Sequence, residues 1–110
     1  MSRYVLIESR DPFDSRDCDW LFETALGLTD SGAKVTVYMI QNGVLAARKH
    51  SAYADRLTTL ASAKVEVLAD SFSLRERAIS EQKLVSDVQE SDVDHLVELI
   101  MEDGSKPIWH

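Results

Sequence analysis

The sequence predicts an α/β domain in which a five-stranded, largely parallel sheet lies between layers of helix, a three-layer α/β/α arrangement. Three observations carry that expectation. Short β-rich apolar runs alternate with segments of helical period. The segments between those runs are long enough to cross over a sheet, as parallel neighbours require. Finally, 110 residues with 45% hydrophobic content supply one packed core. The stretch 1–110 reads as a single domain without internal repeat, linker or low-complexity tract.

Each element has its own signal. Tyr4-Val5-Leu6-Ile7 is continuously apolar, the pattern of a strand covered on both faces. A polar stretch from Glu8 to Asp17, containing Pro12, follows it. The period then changes, with Leu21, Phe22, Ala25 and Leu28 at helical spacing, Ser15 or Asp17 placed as N-cap and Gly32 past the end. Val35 to Ile40 reads as a second buried strand closed by the turn signal Asn42-Gly43. A helix starts over Val44 to Ala47, and another covers about Ala54 to Ala61. Lys64 to Leu68 is a third strand, after which Asp70, Ser71 and Ser73 are available to cap a short helix over Leu74 to Ile79. Leu84 to Val88 reads as a fourth strand. Ser91 with Asp94 resembles a capping box with the shorter acid, and Val93, Leu96, Val97 and Ile100 form the apolar stripe of the last helix. Gly104 stops that helix, and Pro107-Ile108-Trp109 is a closing strand.

The charge balance narrows the function. Nineteen acidic against twelve basic side chains give a net charge of −7. Such a surface gains little from counterion release, so no direct nucleic-acid partner is expected. No apolar run approaches the ~20 residues that cross a bilayer, and Met1-Ser2-Arg3-Tyr4 leads into strand-like sequence, so no membrane partner and a cytoplasmic location are expected. The one cysteine, Cys18, excludes an intrachain disulfide framework and a cage of cysteines around a metal. There is no G-x-G-x-x-G, Walker or G-x-S-x-G pattern, so neither a cofactor nor a metal is expected.

Ligands of open α/β sheets sit beyond the carboxyl ends of the strands, which directs attention to the loops Glu8 to Cys18, Gln41 to Val44 and Asp70 to Ser73. Cys18 is the candidate catalytic residue, with Arg16, Asn42, Gly43, Ser71 and Ser73 as candidate pocket residues. At the first turn of a helix, free N–H groups and the helix dipole favour a thiolate. Arg16 would assist, whereas Asp14, Asp17 and Asp19 would oppose. The competing reading is packing, because Cys18 precedes Leu21 and Phe22 on the core-facing stripe and free cysteine is among the most buried residue types. Asp11 and Asp14, with Asp70 and Lys106, invite comparison with a cation-binding phospho-receiver pocket, against which a solvated acidic loop is the simpler account. His50, His95 and His110 show no ligand spacing, and His95 falls beside Glu98 and Glu102 on a polar helix face. Arg48-Lys49, Arg75 and Arg77 read as solvated helix faces. Trp20, Phe22, Phe72 and Trp109 read as core or subunit-interface aromatics.

Three segments together resemble the DsrE/DsrF/DsrH superfamily of sulfur-relay proteins, closest to its DsrH or TusB branch. These are Ser9-Arg10-Asp11-Pro12-Phe13 followed by Cys18, similar to an "SPF" loop and helix-borne cysteine; Met39 to Ala47, similar to a strand, "DGV" turn and small-residue helix; and Asp92 to Ile100 through Lys106 to Trp109, similar to a final helix and closing tryptophan strand. The resemblance implies a subunit that assembles with DsrE-like and DsrF-like partners, or with itself. It also implies persulfide exchange with a sulfur donor or acceptor protein, in sulfur oxidation or tRNA thiolation. In the DsrE-like branch the carrier cysteine follows the third strand, where this chain has Asp70, Ser71 and Ser73, so the resemblance leaves Cys18 as the carrier. The stretch Arg48 to Tyr53 is longer than usual for the branch. Two alternatives stand beside the relay: a scaffold subunit in which Cys18 only packs, and a small-molecule or phospho-regulated binding domain that uses the acidic loop.

Overall fold

A computed structural model describes residues 3–15 and 18–110. The strands are β1 (Arg3–Glu8), β2 (Lys34–Met39), β3 (Glu66–Asp70), β4 (Gln89–Ser91) and β5 (Ser105–Trp109), and the α-helices are α1 (Cys18–Asp30), α2 (Ala54–Ser62), α3 (Ser71–Glu76) and α4 (Val93–Met101). They form one five-stranded sheet of order β4-β3-β2-β1-β5, in which every neighbouring pair is parallel. The three-layer α/β/α expectation therefore holds, with the sheet wholly parallel.

Alternation along the strands divides the core in two. Leu6, Val35, Val37, Met39, Val67 and Ala69 face α1 and α2, where they meet Leu21, Phe22, Ala25, Leu57 and Leu60. Val5, Ile7, Tyr38 and Leu68 face the other way and are covered by Leu96 and Leu99 of α4. Both faces of the central strands are therefore dry, which is why β1 reads as an unbroken apolar run over Tyr4 to Ile7 and β2, over Val35 to Met39, departs from one only at Thr36. Among the described residues no helix is long and apolar enough to cross a membrane.

Several local expectations are corrected. Asn42-Gly43 does not make an isolated turn; both residues belong to a 3-10 helix spanning Gln41–Ala47 that packs beneath the carboxyl ends of the strands. The third strand runs on to Asp70, which both ends β3 and caps α3 by accepting from the Ser73 N–H, so α3 starts at Ser71, ahead of the expected Leu74. Leu84 to Val88 is not a strand. Leu84, Val85 and Val88 are buried as plugs of the first core, Leu84 makes one antiparallel bridge to Arg48, and β4 follows at Gln89–Ser91. The cap of α4 is Asp92, accepting from the His95 N–H, in place of Ser91. Of the expected core stripe, Leu96 is buried and Ile100 packs against the same core, whereas Val93 and Val97 are exposed and Leu99 takes up the rest of the contact.

Candidate functional site

The strand order locates the site before any side chain is considered. From β1 the chain winds through β2, β3 and β4 in one direction, then returns to lay β5 on the far side of β1. The crevice between the carboxyl ends of β1 and β5 is thus the switch point at which ligands of open α/β sheets bind.

Three ionisable side chains meet there. Glu8 ends β1, and the register aligns Ile7 with Trp109, so His110 follows beside Glu8. His110 N–H donates to the Ile7 carbonyl at 2.8 Å, and the His110 carbonyl accepts from the Ser9 N–H at 2.9 Å, which extends the ladder past both strands. The His110 imidazole Nδ1 is 2.8 Å from Glu8 Oε2. Cys18, the first residue of α1, brings its Sγ into the same group, so that one donor atom from each of Glu8, Cys18 and His110 lies within 4.8 Å of the others. Glu8 is 5% exposed and Cys18 1%.

The surroundings hold this group in place. The Arg10 N–H donates to Glu8 Oε1 at 2.9 Å, and the Cys18 thiol donates to the Arg10 carbonyl at 3.9 Å. Trp20 leans on the His110 ring with centroids 5.5 Å apart, and Trp109 Nε1 donates to Ser9 Oγ. On the inner side, Gly43 of the 3-10 helix packs against the Glu8 backbone so closely that only glycine fits. Gly43 is thus a positioning residue for Glu8.

The electrostatics of Cys18 differ from the helix-dipole expectation. Burial, followed by the charge and hydrogen bond of Glu8, pushes the thiol up to about 12; a hydrogen bond from Ser15 and the charge of Arg10 pull the other way and lose. At neutral pH the sulfur is a protonated thiol. Its core-facing position decides this, as the packing reading anticipated.

The other candidates form a second group at the ends of β2 and β3. Tyr38 donates its hydroxyl to Asp70 Oδ1 at 2.7 Å, Ser73 donates both its N–H and its hydroxyl to Asp70 Oδ2, and Gln41 N–H donates to Ser73 Oγ. Arg77 grips Asn42 Oδ1 and the Ser73 carbonyl. Burial and the Asp70 carboxylate raise the Tyr38 phenol well above its ordinary value. Ser73 and Asn42 are thus brought together beside an open cleft of about 680 Å³ with Phe72 and Val93 on its rim. Ser71 takes only the first position of α3, and Arg16 and Asp17 lie outside the described residues. The receiver-like set does not assemble: Asp11 turns back onto the Phe13 N–H, Asp70 is held in the tyrosine network, and Lys106 lies over the Tyr4 ring. His95 meets Glu98 at the helix surface as expected, at 3.7 Å. Of the four aromatics expected at the core or an interface, Phe22 is buried and Trp20, Phe72 and Trp109 are exposed.

Sequence reasoning missed Glu8 and His110, treating the first as a loop acid and the second as a stray histidine. Their only signal is the pairing of β1 with β5, a relation between residues 102 positions apart.

The family model described as the DsrE/DsrF-like family matches residues 2–106. The chain belongs to the DsrE/DsrF-like family. Solved structures share the fold. The crystal structure of the ychN protein from E. coli superposes with a TM-score of 0.86 at 17% identity, covering 98% of this chain and 100% of that one. The protein of unknown function MTH1491 from Methanobacterium thermoautotrophicum superposes with a TM-score of 0.88 at 23% identity, over 100% of both chains. At these identities the likeness speaks for the fold. No curated protein matches the chain.

Proposed function

We propose that this DsrE/DsrF-like protein is a DsrH-like subunit of a cytoplasmic sulfur relay acting in sulfur oxidation or tRNA thiolation, with Cys18 as the residue that holds the travelling sulfur. The observation that carries the reading is the convergence of the Cys18 thiol with the Glu8 carboxylate and the His110 imidazole at the switch point. The absence of cysteine from Asp70 to Ser73 supports the DsrH-like branch over a DsrE-type carrier.

The chemistry is thiol exchange. The Cys18 proton passes to Glu8, whose carboxylate is buried beside it, and the resulting thiolate attacks the terminal sulfur of a donor persulfide. A sulfur–sulfur bond forms on Cys18 as the donor's sulfur–sulfur bond breaks, and the departing donor thiolate takes the proton back from Glu8. One persulfide and one thiol enter and one of each leaves, without an external oxidant. His110, hydrogen-bonded to Glu8, orients that carboxylate. Because Cys18 is buried, a donor reaches it only when a segment packed over it opens.

Partners follow from the same reading: DsrE-like and DsrF-like subunits, or further copies of this chain. The exposed apolar side chains Val93, Val97 and Met101 along α4, with Trp20 and Trp109, support association. A specific observation also favours a scaffold subunit, namely the near-complete burial of Cys18. Intact-mass measurement after incubation with a low-molecular-weight persulfide, in chelator-treated buffer, separates the two. The relay predicts that wild type gains one sulfur atom and Cys18→Ser gains none. An unmodified wild type whose thiol is also refractory to alkylation until unfolded overturns the relay and leaves the scaffold.

A further inference from the structure

We infer that Glu8, Cys18 and His110 form a binding site for a single zinc ion, a property beyond the sulfur-relay reading. The three groups offer one carboxylate oxygen, one thiolate sulfur and one imidazole nitrogen, the donor types that zinc accepts together. They come from three separate elements, the end of β1, the first turn of α1 and the residue after β5, yet their donor atoms lie within 4.8 Å of one another. Metal–ligand bonds of about 2.0–2.3 Å place tetrahedral ligands on the order of 3.5 Å apart, so closure onto an ion asks for small side-chain rotations.

Charge and support both fit. A dication with the Glu8 carboxylate, a Cys18 thiolate and a neutral His110 makes an uncharged group, the condition under which a buried cluster is tolerated. The ion takes the place of the His110 Nδ1–Glu8 Oε2 hydrogen bond, the neutral imidazole carries its one proton on Nε2, and the thiol proton leaves to solvent. The remaining Glu8 oxygen keeps the Arg10 N–H as its donor, the outer-shell hydrogen bond that orients a ligating carboxylate. Three protein ligands leave a fourth position open to water or to an incoming thiolate. The single cysteine argues against a cage of cysteines; it does not exclude a mixed-ligand site whose other members come from distant strands.

The test uses the whole chain, reduced, metal-free and without any sulfur donor. Titration with Co²⁺ is expected to give one equivalent of bound metal with a thiolate-to-cobalt charge-transfer band and tetrahedral d–d bands, both displaced by Zn²⁺. Cys18→Ser is expected to abolish the charge-transfer band. Glu8→Gln, which keeps a hydrogen-bonding partner for His110, is expected to weaken Zn²⁺ binding by more than the about 10–100-fold that loss of an outer-shell partner costs. Unchanged thermal unfolding of the metal-free variants separates ligand loss from misfolding. If wild type shows no thiolate band, or binds Zn²⁺ no more tightly than Cys18→Ser, the zinc site is overturned and the cluster is a Glu8–His110 pair beside a thiol. Sulfur uptake in chelator is independent of this result, so the two readings fail separately.

Discussion

Gly43 and Glu8 touch through their main chains: a Cβ placed on Gly43 would stand 2.1 Å from the Glu8 carbonyl oxygen and 2.9 Å from its carbon. That oxygen also accepts from the Ile40 N–H at 3.0 Å, so the 3-10 helix and the end of β1 are joined at the residue whose side chain faces Cys18 and His110. Backbone cannot swing aside as a long side chain does. Gly43→Ala is therefore expected to cost at least the about 1–3 kcal/mol typical of overpacking, read as a lowered denaturant midpoint, and to displace Glu8. An unchanged midpoint would show that the helix slides away from β1 freely.

The Tyr38–Asp70–Ser73 network is buried and fully hydrogen-bonded. Tyr38→Phe removes the donor and leaves a carboxylate oxygen of Asp70 short of a partner. The expected loss is about 1–3 kcal/mol in urea unfolding, with sulfur uptake at Cys18 unaffected because the network belongs to the other end of the strand row.

Alkaline conditions probe Cys18. Its folded value is pushed up to about 12, above the unfolded value near 8.5, so the neutral thiol adds stability that is complete below the unfolded value. That contribution declines as pH rises from about 9 towards 12, because the unfolded chain releases its proton first. Urea midpoints from pH 7 to 11 are expected to fall more steeply for wild type than for Cys18→Ala. Parallel curves would mean that the sulfur is solvated in the native state.

Two adjacent residues at the start of α4 make a paired test. Asp92→Ala removes the side chain that accepts from the His95 N–H and is expected to cost about 1 kcal/mol in thermal or urea unfolding. Ser91→Ala, one residue earlier at the end of β4, is expected to be near neutral. The reverse order would place the cap where the S-x-x-D pattern first suggests it.

Much of the architecture is visible in local pattern. The apolar runs of β1 and β2 and the helical spacing of Leu21, Phe22 and Ala25 survive into the structure because each reports burial against an adjacent layer. Leu84, Val85 and Val88 mislead because a buried loop plug and a strand make the same demand for apolar side chains. Val93 and Val97 mislead for a related reason: helical spacing fixes a face, but only tertiary packing says which apolar residues meet the sheet. Cys18 is legible because its chemistry is rare in this chain. Glu8 and His110 are not, because their meeting depends on the β1–β5 register, which no window of neighbouring residues contains.

β5 is the outermost strand beside β1, five residues long, with none of them fully buried. Half of the Glu8–His110 pair therefore hangs from the element that folding can complete last and native-state fluctuation can release first. Peeling β5 away would uncover the carboxylate and the sulfur while β2 and β3, buried on both faces, stay paired. Amide exchange should reveal a site that opens at its edge at far lower free energy than the domain unfolds, giving buried chemistry an entrance without melting its core.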